Sequence, residues 1–498
     1  MRSCRNLDRR SLAILSGGML LALGSACTTV GPNYSRPVST APAHWDLAAP
    51  WREAEPRDAI PRAGWWTLFH DDELEQLESN LLAANPTLKA AYAHFDQARA
   101  SAAVQNANLF PALSAAPSAG VERYSANRPT GTPQKISAPV TQGNYNLPFT
   151  LSYEVDLFGQ RRRTIEAAEA SYQASAADLE NVRLVLTAEL AADYFTLRQL
   201  DTQIAILNRT VEYLRRGLDL QISRHSGGLA SGLDVAQEET LLNTTRTQAT
   251  LILTQRKQFE DAIAVLIGTA APGFHLEQRN LRAEFPRIDV ALPSDLLERR
   301  PDVAEAERQM ASANAQIGIA QAAYYPSLVL FGQGGWNSQY VSRLFNPASG
   351  FWALAASIAQ TIFDGGARRA EVKFSQAGYE AALESYRATV LNAFREVQDE
   401  ISGLEVLETA RQSQEDAVAS SRRQLDIAND RYIGGLASYL DVVSAQQNLL
   451  NNEQQAAIIQ GQRLITTVLL VKALGGGWDA ESLAAVHVEP RLMDALTP

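Results

Sequence analysis

The sequence predicts an α+β membrane protein, built twice over from a pair of strands and one long helical hairpin. Three observations predict it. First, the stretch Gly-Gly-Leu-Ala-Ser occurs twice, at Gly227–Ser231 and Gly434–Ser438, each time after one long helical pattern and before another. Second, apolar residues ahead of the first copy fall at Leu179, Val182, Leu186, Leu190, Leu197, Leu200, Ile204, Leu207, Val211, Leu214 and Leu218, with Asp193 the one clear polar intruder. Alternating three-four spacing keeps one stripe facing a partner helix, and a glycine pair then breaks the helix and lets the chain reverse. Third, Tyr145, Leu147, Phe149, Leu151, Tyr153 and Val155 alternate with Asn144, Asn146, Pro148, Thr150, Ser152 and Glu154. Such a strand has one apolar face and one polar face, as a transmembrane barrel requires; a soluble sandwich would use the same pattern turned inward.

At the N-terminus, Arg2, Arg5, Arg9 and Arg10 precede a short apolar core, Leu12–Leu23, and the small residues Gly24, Ser25 and Ala26 precede Cys27. Residues 1–26 read as a signal peptide, too short for a comfortable span. Cys27 after small residues reads as a lipoprotein processing site; the plain alternative is ordinary cleavage near Ala26 beside an incidental cysteine. Only Cys4 and Cys27 exist, so the mature chain could form no internal disulfide. Loss of four arginines and Asp8 takes the net charge from -11 to -14. An acidic chain of this kind is not expected to bind nucleic acid.

Residues 27–64, rich in Pro and Ala, read as a lipidated tether lying along a surface. Trp65 and Trp66 start the folded body. The first repeat covers 65–280: a helix over Asp71–Leu109 with Pro86 near a first turn, strands at about 113–124 and 144–156, and a hairpin over 160–267. The first arm alone would measure roughly 100 Å at 1.5 Å per residue. The second repeat covers 281–478: a helix over Arg308–Tyr325, strands at about 328–336 and 351–362, and a hairpin over 366–474. Residues 479–498 form a C-terminal tail. The repeat, roughly 205–215 residues long, indicates tandem duplication.

Four strands leave two open edges, which lipid cannot satisfy. Lipid-facing strands therefore require several chains to close one barrel, and the hairpins should pack beside one another as a tube. A non-conducting helical scaffold is the competing reading. No enzyme signature is present: the six histidines, His44, His70, His94, His225, His275 and His487, form no metal-ligand spacing, and no nucleophile elbow or phosphate loop occurs.

The chain resembles the TolC-like outer membrane factors, specifically the OprM-like (NodT) lipoprotein subfamily of RND efflux channels. The resemblance covers essentially the whole mature chain. It rests on Cys27-Thr-Thr-Val-Gly-Pro-Asn-Tyr-Ser-Arg-Pro37, Asp156-Leu-Phe-Gly159, Leu296-Leu-Glu-Arg-Arg-Pro-Asp-Val303, Tyr325-Pro-Ser-Leu328 and the two glycine tips. It implies a homotrimer whose chains each give four strands to one twelve-stranded barrel in the outer membrane, continued by a periplasmic helical barrel. A mixed equatorial belt would come from residues near 65–85, the 268–300 linker and the tail. It implies no cofactor beyond the lipid on Cys27, and Thr28 after that cysteine implies sorting to the outer membrane. A periplasmic adaptor (membrane fusion) protein and an inner-membrane RND-type pump would dock at Gly227, Gly228, Leu229, Ala230, Ser231, Gly434, Gly435, Leu436, Ala437 and Ser438. Matching the family's gate, Asp441 would form an acidic ring beside a Leu440 constriction, and Tyr432 with Asp234 would form a latch. Ala437 stands where some members have a locking arginine, and Ser444 at a second acidic position. Helix capping is the competing reading of Asp234 and Asp441, which each sit just after a turn. The expected function is passive export of small molecules; the alternative is the outlet of a type I protein secretion or metal efflux system.

Overall fold

A computed structural model describes residues 29–37, 64–126, 139–281, 285–286 and 299–478. The signal peptide, Cys27, most of the tether and the tail 479–498 lie outside the described residues. A short helical turn, Trp65–Phe69, leads into α1 (Asp72–Ala84) and α2 (Pro86–Ala107). The helical run expected over Asp71–Leu109 is thus two helices, the second starting at the Pro86 first turn that the sequence suggests. Asn85 is extended and caps the second helix by accepting from Leu88 N–H at 2.9 Å, and Pro86 follows at the first helical position.

The strands are β1 (Ala112–Ala115), β2 (Ser118–Tyr124), β3 (Val140–Val155), β4 (Ser327–Ser338) and β5 (Gly350–Ala359). β1 and β2 are two pieces of the single strand expected at 113–124; both pair antiparallel with β3, interrupted at Ala116-Pro117, where proline has no N–H to donate. The five segments therefore occupy four strand positions, with β4 on the far side of β3 and β5 beyond it, all antiparallel. β3 begins earlier than the clean alternation at 144 suggests. β5 stops at Ala359 rather than 362, where the Gln360 side chain instead donates to the Tyr324 carbonyl at 3.0 Å.

Register carries the alternation across the whole sheet. Leu147, Phe149, Leu151 and Tyr153 lie opposite Trp336, Gly334, Gly332 and Leu330, which in turn lie opposite Gly350, Trp352, Leu354 and Ala356. One face is therefore aliphatic and aromatic from edge to edge. Trp352 is 79% exposed and Leu354 78% in a single chain. Gly332 and Gly334 fall between large side chains, and Leu354 and Leu151 cover the surface that Gly332 leaves open. The opposite face is polar along β2 and β3 and mixed on β4 and β5, where Gln333, Asn337 and Ser357 stand among Val329, Phe331, Phe351, Ala353 and Ala355. Asn144 donates to Glu122 at 2.8 Å and Asn337 to Asn144 at 3.0 Å, so one row crosses three strands. The edges at β1–β2 and β5 are open within the chain.

Each strand pair runs into a hairpin: α3 (Gln160–Ser226) and α4 (Gly232–Leu266), then, after α5 (Pro301–Ala322), α6 (Ala367–Ile433) and α7 (Tyr439–Ala473). α5 begins seven residues before the expected Arg308, because Pro301 supplies a first helical position and Asp302 favours the first turn. α3 packs on α4, α5 and α7. The seam is buried as spaced: Leu190, Leu197 and Leu214 are fully enclosed.

The core is thickest at the belt, where Trp65, Trp66 and Phe69 meet Leu184, Phe195 and Leu266. The Phe69 and Phe195 rings lie 4.9 Å apart, and the Trp65 indole donates to Thr187 at 3.3 Å. A buried ion chain fastens the linker here. Arg198 joins Glu73 and Asp201; Arg256 joins Asp201 at 2.6 Å and Glu260 at 3.1 Å, and donates to the Leu276 carbonyl at 2.6 Å. Buried charges persist only when paired in this way. Among the described residues no helix is long and apolar enough to cross a membrane.

Candidate gate at the hairpin tips

The two glycine tips fold identically. At the first, Gly228 has φ 74°, Leu229 N–H donates to the Arg224 carbonyl at 2.7 Å, and Gly227 N–H to Ser223 at 3.1 Å. At the second, Gly435 has φ 70° and Leu436 N–H donates to Arg431 at 2.7 Å. This is a helix ending that needs a left-handed residue, which explains the second glycine of each pair. Ala230, Ser231, Ala437 and Ser438 carry the chain into the return helices. The tips present apolar side chains outward: Leu229, Leu233, Leu436 and Leu440 are all more than half exposed.

Both acids expected at the gate cap helices in this conformation. Asp234 accepts from Ser231 N–H at 2.9 Å, while its own N–H donates to Ser231 Oγ at 3.2 Å. Asp441 accepts from Ser438 N–H at 3.0 Å and Ser438 Oγ at 2.9 Å. Each closes a capping box, satisfying donors that the first helical turn leaves free. Within the chain Tyr432 and Asp234 do not meet. The Tyr432 hydroxyl donates to Gln221 on α3 at 3.1 Å, and Arg224 sits 5.1 Å over its ring.

Besides the packing of α3 on α7, a contact one turn above the tips ties the two hairpins together. Tyr432 and Tyr439 rings lie 5.0 Å apart. Tyr439 is buried, and its hydroxyl faces the carboxylate of Glu238 on α4, whose oxygens lack a well-aligned donor among the described residues. Glu238 is completely enclosed and lies against Gly217 of α3, where any side chain would collide with it. Burial pushes its carboxyl up to about 7. The signal was present: Glu238, Leu241, Leu242 and Thr245 are all buried at three-four spacing, which places a carboxylate in the seam. Beyond this node α4 and α7 diverge around a groove of about 640 Å³, lined by Leu233, Gln237, Val443 and Ser444.

At the other end, the described part of the tether is a strap. Val30 N–H donates to the Phe158 carbonyl at 3.1 Å, at the β3–α3 junction. Arg163 donates to the Val30 carbonyl at 3.2 Å, the Gly31 carbonyl at 3.1 Å and Asn33 at 2.8 Å. Asn314 donates to the Pro32 carbonyl at 3.1 Å, and the Tyr34 hydroxyl to Glu307. Gly31 crosses directly over Gly318. The strap thus begins where the sheet meets the helices.

An amphipathic sheet with open edges, set on paired helical hairpins with capped tips, is the architecture of an outer-membrane conduit. Residues 77–269 and 292–476 match the outer membrane efflux protein family model. The probable efflux pump outer membrane protein TtgC of Pseudomonas putida is 30% identical over 469 residues, covering 94% of this chain and 96% of that protein. The outer membrane protein OprJ of Pseudomonas aeruginosa is 31% identical, covering 94% and 97%. Among solved structures, the outer-membrane channel OprN superposes with a TM-score of 0.84 at 28% identity, over 91% of this chain and all of that one. VceC of Vibrio cholerae gives 0.77 at 26%, over 83% and 98%. The chain belongs to the outer membrane efflux protein family. It is an outer membrane channel component of a tripartite efflux system, a transport conduit with a transmembrane β-barrel continued into the periplasm by a helical barrel.

Proposed function

We propose that three copies of this chain, each lipidated at Cys27, form a passive outlet that receives small molecules from a periplasmic adaptor and an inner-membrane RND-type pump. The observation that carries the reading is the sheet: apolar on one face, polar to mixed on the other, and open at both edges. Three such sheets, joined β5 to β1–β2, close a barrel of twelve strand positions with no free edge and the polar-to-mixed face toward the lumen. The strap supports lipidation at Cys27, because it brings the chain three residues later to the barrel–helix junction, at the level of the periplasmic leaflet. The exposed tip leucines are the surface for the adaptor.

In the assembled outlet, Leu440 and Asp441 of three copies converge as an apolar constriction and an acidic ring. Asp234 and Tyr432 serve the resting closure from neighbouring coils. Capping does not exclude this role, since a carboxylate that caps its own helix still lends its charge to the lumen.

Efflux complementation tests the reading. A host lacking its own outlet, supplied with a matching adaptor and pump, should regain export of a fluorescent small molecule when this chain is added. Leu229→Asp with Leu436→Asp should abolish export and adaptor cross-linking while the trimer persists. Undiminished export by that variant would refute docking at the tips. Separately, Cys27→Ala should lose acyl labelling; retained labelling would refute the anchor.

A further inference from the structure

The rim of the sheet farthest from the helices carries two arginines, Arg123 and Arg343, that form no ion pair among the described residues. Strand alternation places Arg123 with Ala119 and Val121, whose partners on β3 are Thr141, Tyr145 and Gly143, so Arg123 shares the aliphatic face. In the β4–β5 connection, the Phe345 ring meets Trp336 of that face edge-on at 5.7 Å, and Arg343 sits 5.5 Å over the Tyr340 ring. Tyr340, Val341 and Phe345 are 58–69% exposed. Neither arginine has a carboxylate partner among the described residues.

Charge separates this rim from the other one. At the helix side of the sheet Arg161, Arg162 and Arg368 pair with Glu154, Asp156 and Asp364. At the far side, the β4–β5 connection 339–349 contains Arg343 and no Asp or Glu, in a chain of net charge -11. Glu122, next to Arg123 in the chain, lies on the polar face and accepts from Asn144 and Tyr124. A desolvated arginine without a counter-ion is unfavourable at a lipid boundary, whereas a guanidinium beside phosphate gains two parallel hydrogen bonds. Aromatic rings beside cations mark the headgroup level of a membrane.

We propose that Arg123 and Arg343, with the Trp336–Phe345 and Tyr340 rings, form a docking surface for phosphorylated glycolipid of the outer leaflet. The arginines take the phosphate groups and the rings take the sugar and upper acyl region. The surface rests on the outward position of this rim in the outer membrane.

The test is native mass spectrometry and thermal melting of the purified mature channel with bis-phosphorylated lipid A, dephosphorylated lipid A, a zwitterionic phospholipid or inorganic phosphate. Bis-phosphorylated lipid A should stay bound and raise the melting temperature; the other three should not. The Arg123→Gln, Arg343→Gln double variant should bind it roughly tenfold to thirtyfold more weakly. The double lysine variant should recover part of the loss, and removing two periplasmic cations (Lys89→Gln, Lys373→Gln) should change nothing. Equal binding by the double glutamine variant, or by dephosphorylated lipid A, would overturn the proposal. Conductance of the variant in glycolipid-free bilayers separates the two readings: normal conductance with lost lipid binding supports the surface, and lost conductance with retained lipid binding contradicts it.

Discussion

Glu238 holds a carboxyl where a coiled-coil seam wants an aliphatic side chain. Its pKa is pushed from an ordinary 4.5 up to about 7, by burial first and against the opposing influence of Tyr439. The sign follows directly. In the packed node the group keeps its proton, and in a loosened node it releases it. The packing is therefore most stable below about pH 4.5, weakens as pH rises toward 7, and changes little beyond. Glu238→Gln keeps the shape without the charge. Melting of the purified channel from about pH 5 to about pH 8 should fall for the parent and stay flat for the variant at this node. Parallel curves would remove Glu238 from the account. The tip glycines give a second prediction at this scale. Gly435→Val must adopt φ near 70° and should cost roughly 1–2 kcal/mol locally, read as faster proteolysis at the second tip. Gly434→Ala, at an ordinary φ of -74°, should cost much less.

At the scale of elements, most of the hairpins were legible in the sequence. Gln160 and Ser226 bound α3 as read, because a glycine in left-handed conformation stands at Gly159 and a glycine pair follows Ser226. The strands were legible as an alternation, but their ends were not. Pro117 splits the first one, and Val140–Gly143 extends β3 with residues too mixed to alternate cleanly. At the gate, spacing identified Asp441 and Asp234 as first-turn acids but not their partners. Which residue of α3 meets Tyr432 depends on the relative height of two hairpins whose sequences are some 200 residues apart, so Gln221 could only come from packing. Asp193, singled out as an intruder in the seam, is indeed half-buried, its carboxyl pushed up to about 6 by burial and by Glu189. The sheet yields an element-scale prediction. Leu354→Arg places a charge on the lipid face opposite Gly332 and should cost about 2–4 kcal/mol near mid-membrane, read as loss of the heat-resistant trimer. Thr150→Arg, on the polar face, should insert and alter conductance instead. Equal loss in both would mean the faces are assigned the wrong way round.

For the whole molecule, the two hairpins are related by duplication yet joined unequally. The first is fastened to the belt by the Arg198–Asp201–Arg256 chain and to the linker through Leu276 and Leu281. The second carries Leu440 and Asp441; α6 packs mainly on α5 and α7 and reaches α3 through Tyr432 and Gln221. An opening that moved the α6–α7 hairpin against the α3–α4 hairpin would also have to slide α7 over α3. The node of Tyr432, Gln221, Tyr439 and Glu238 is what such a movement must break. The most direct measurement is single-channel recording of the purified trimer in a planar bilayer, parent against Asp441→Ala. The parent should show a small, cation-preferring conductance and the variant a larger, less selective one. A parent and variant with the same conductance and the same selectivity would contradict the gate at Asp441.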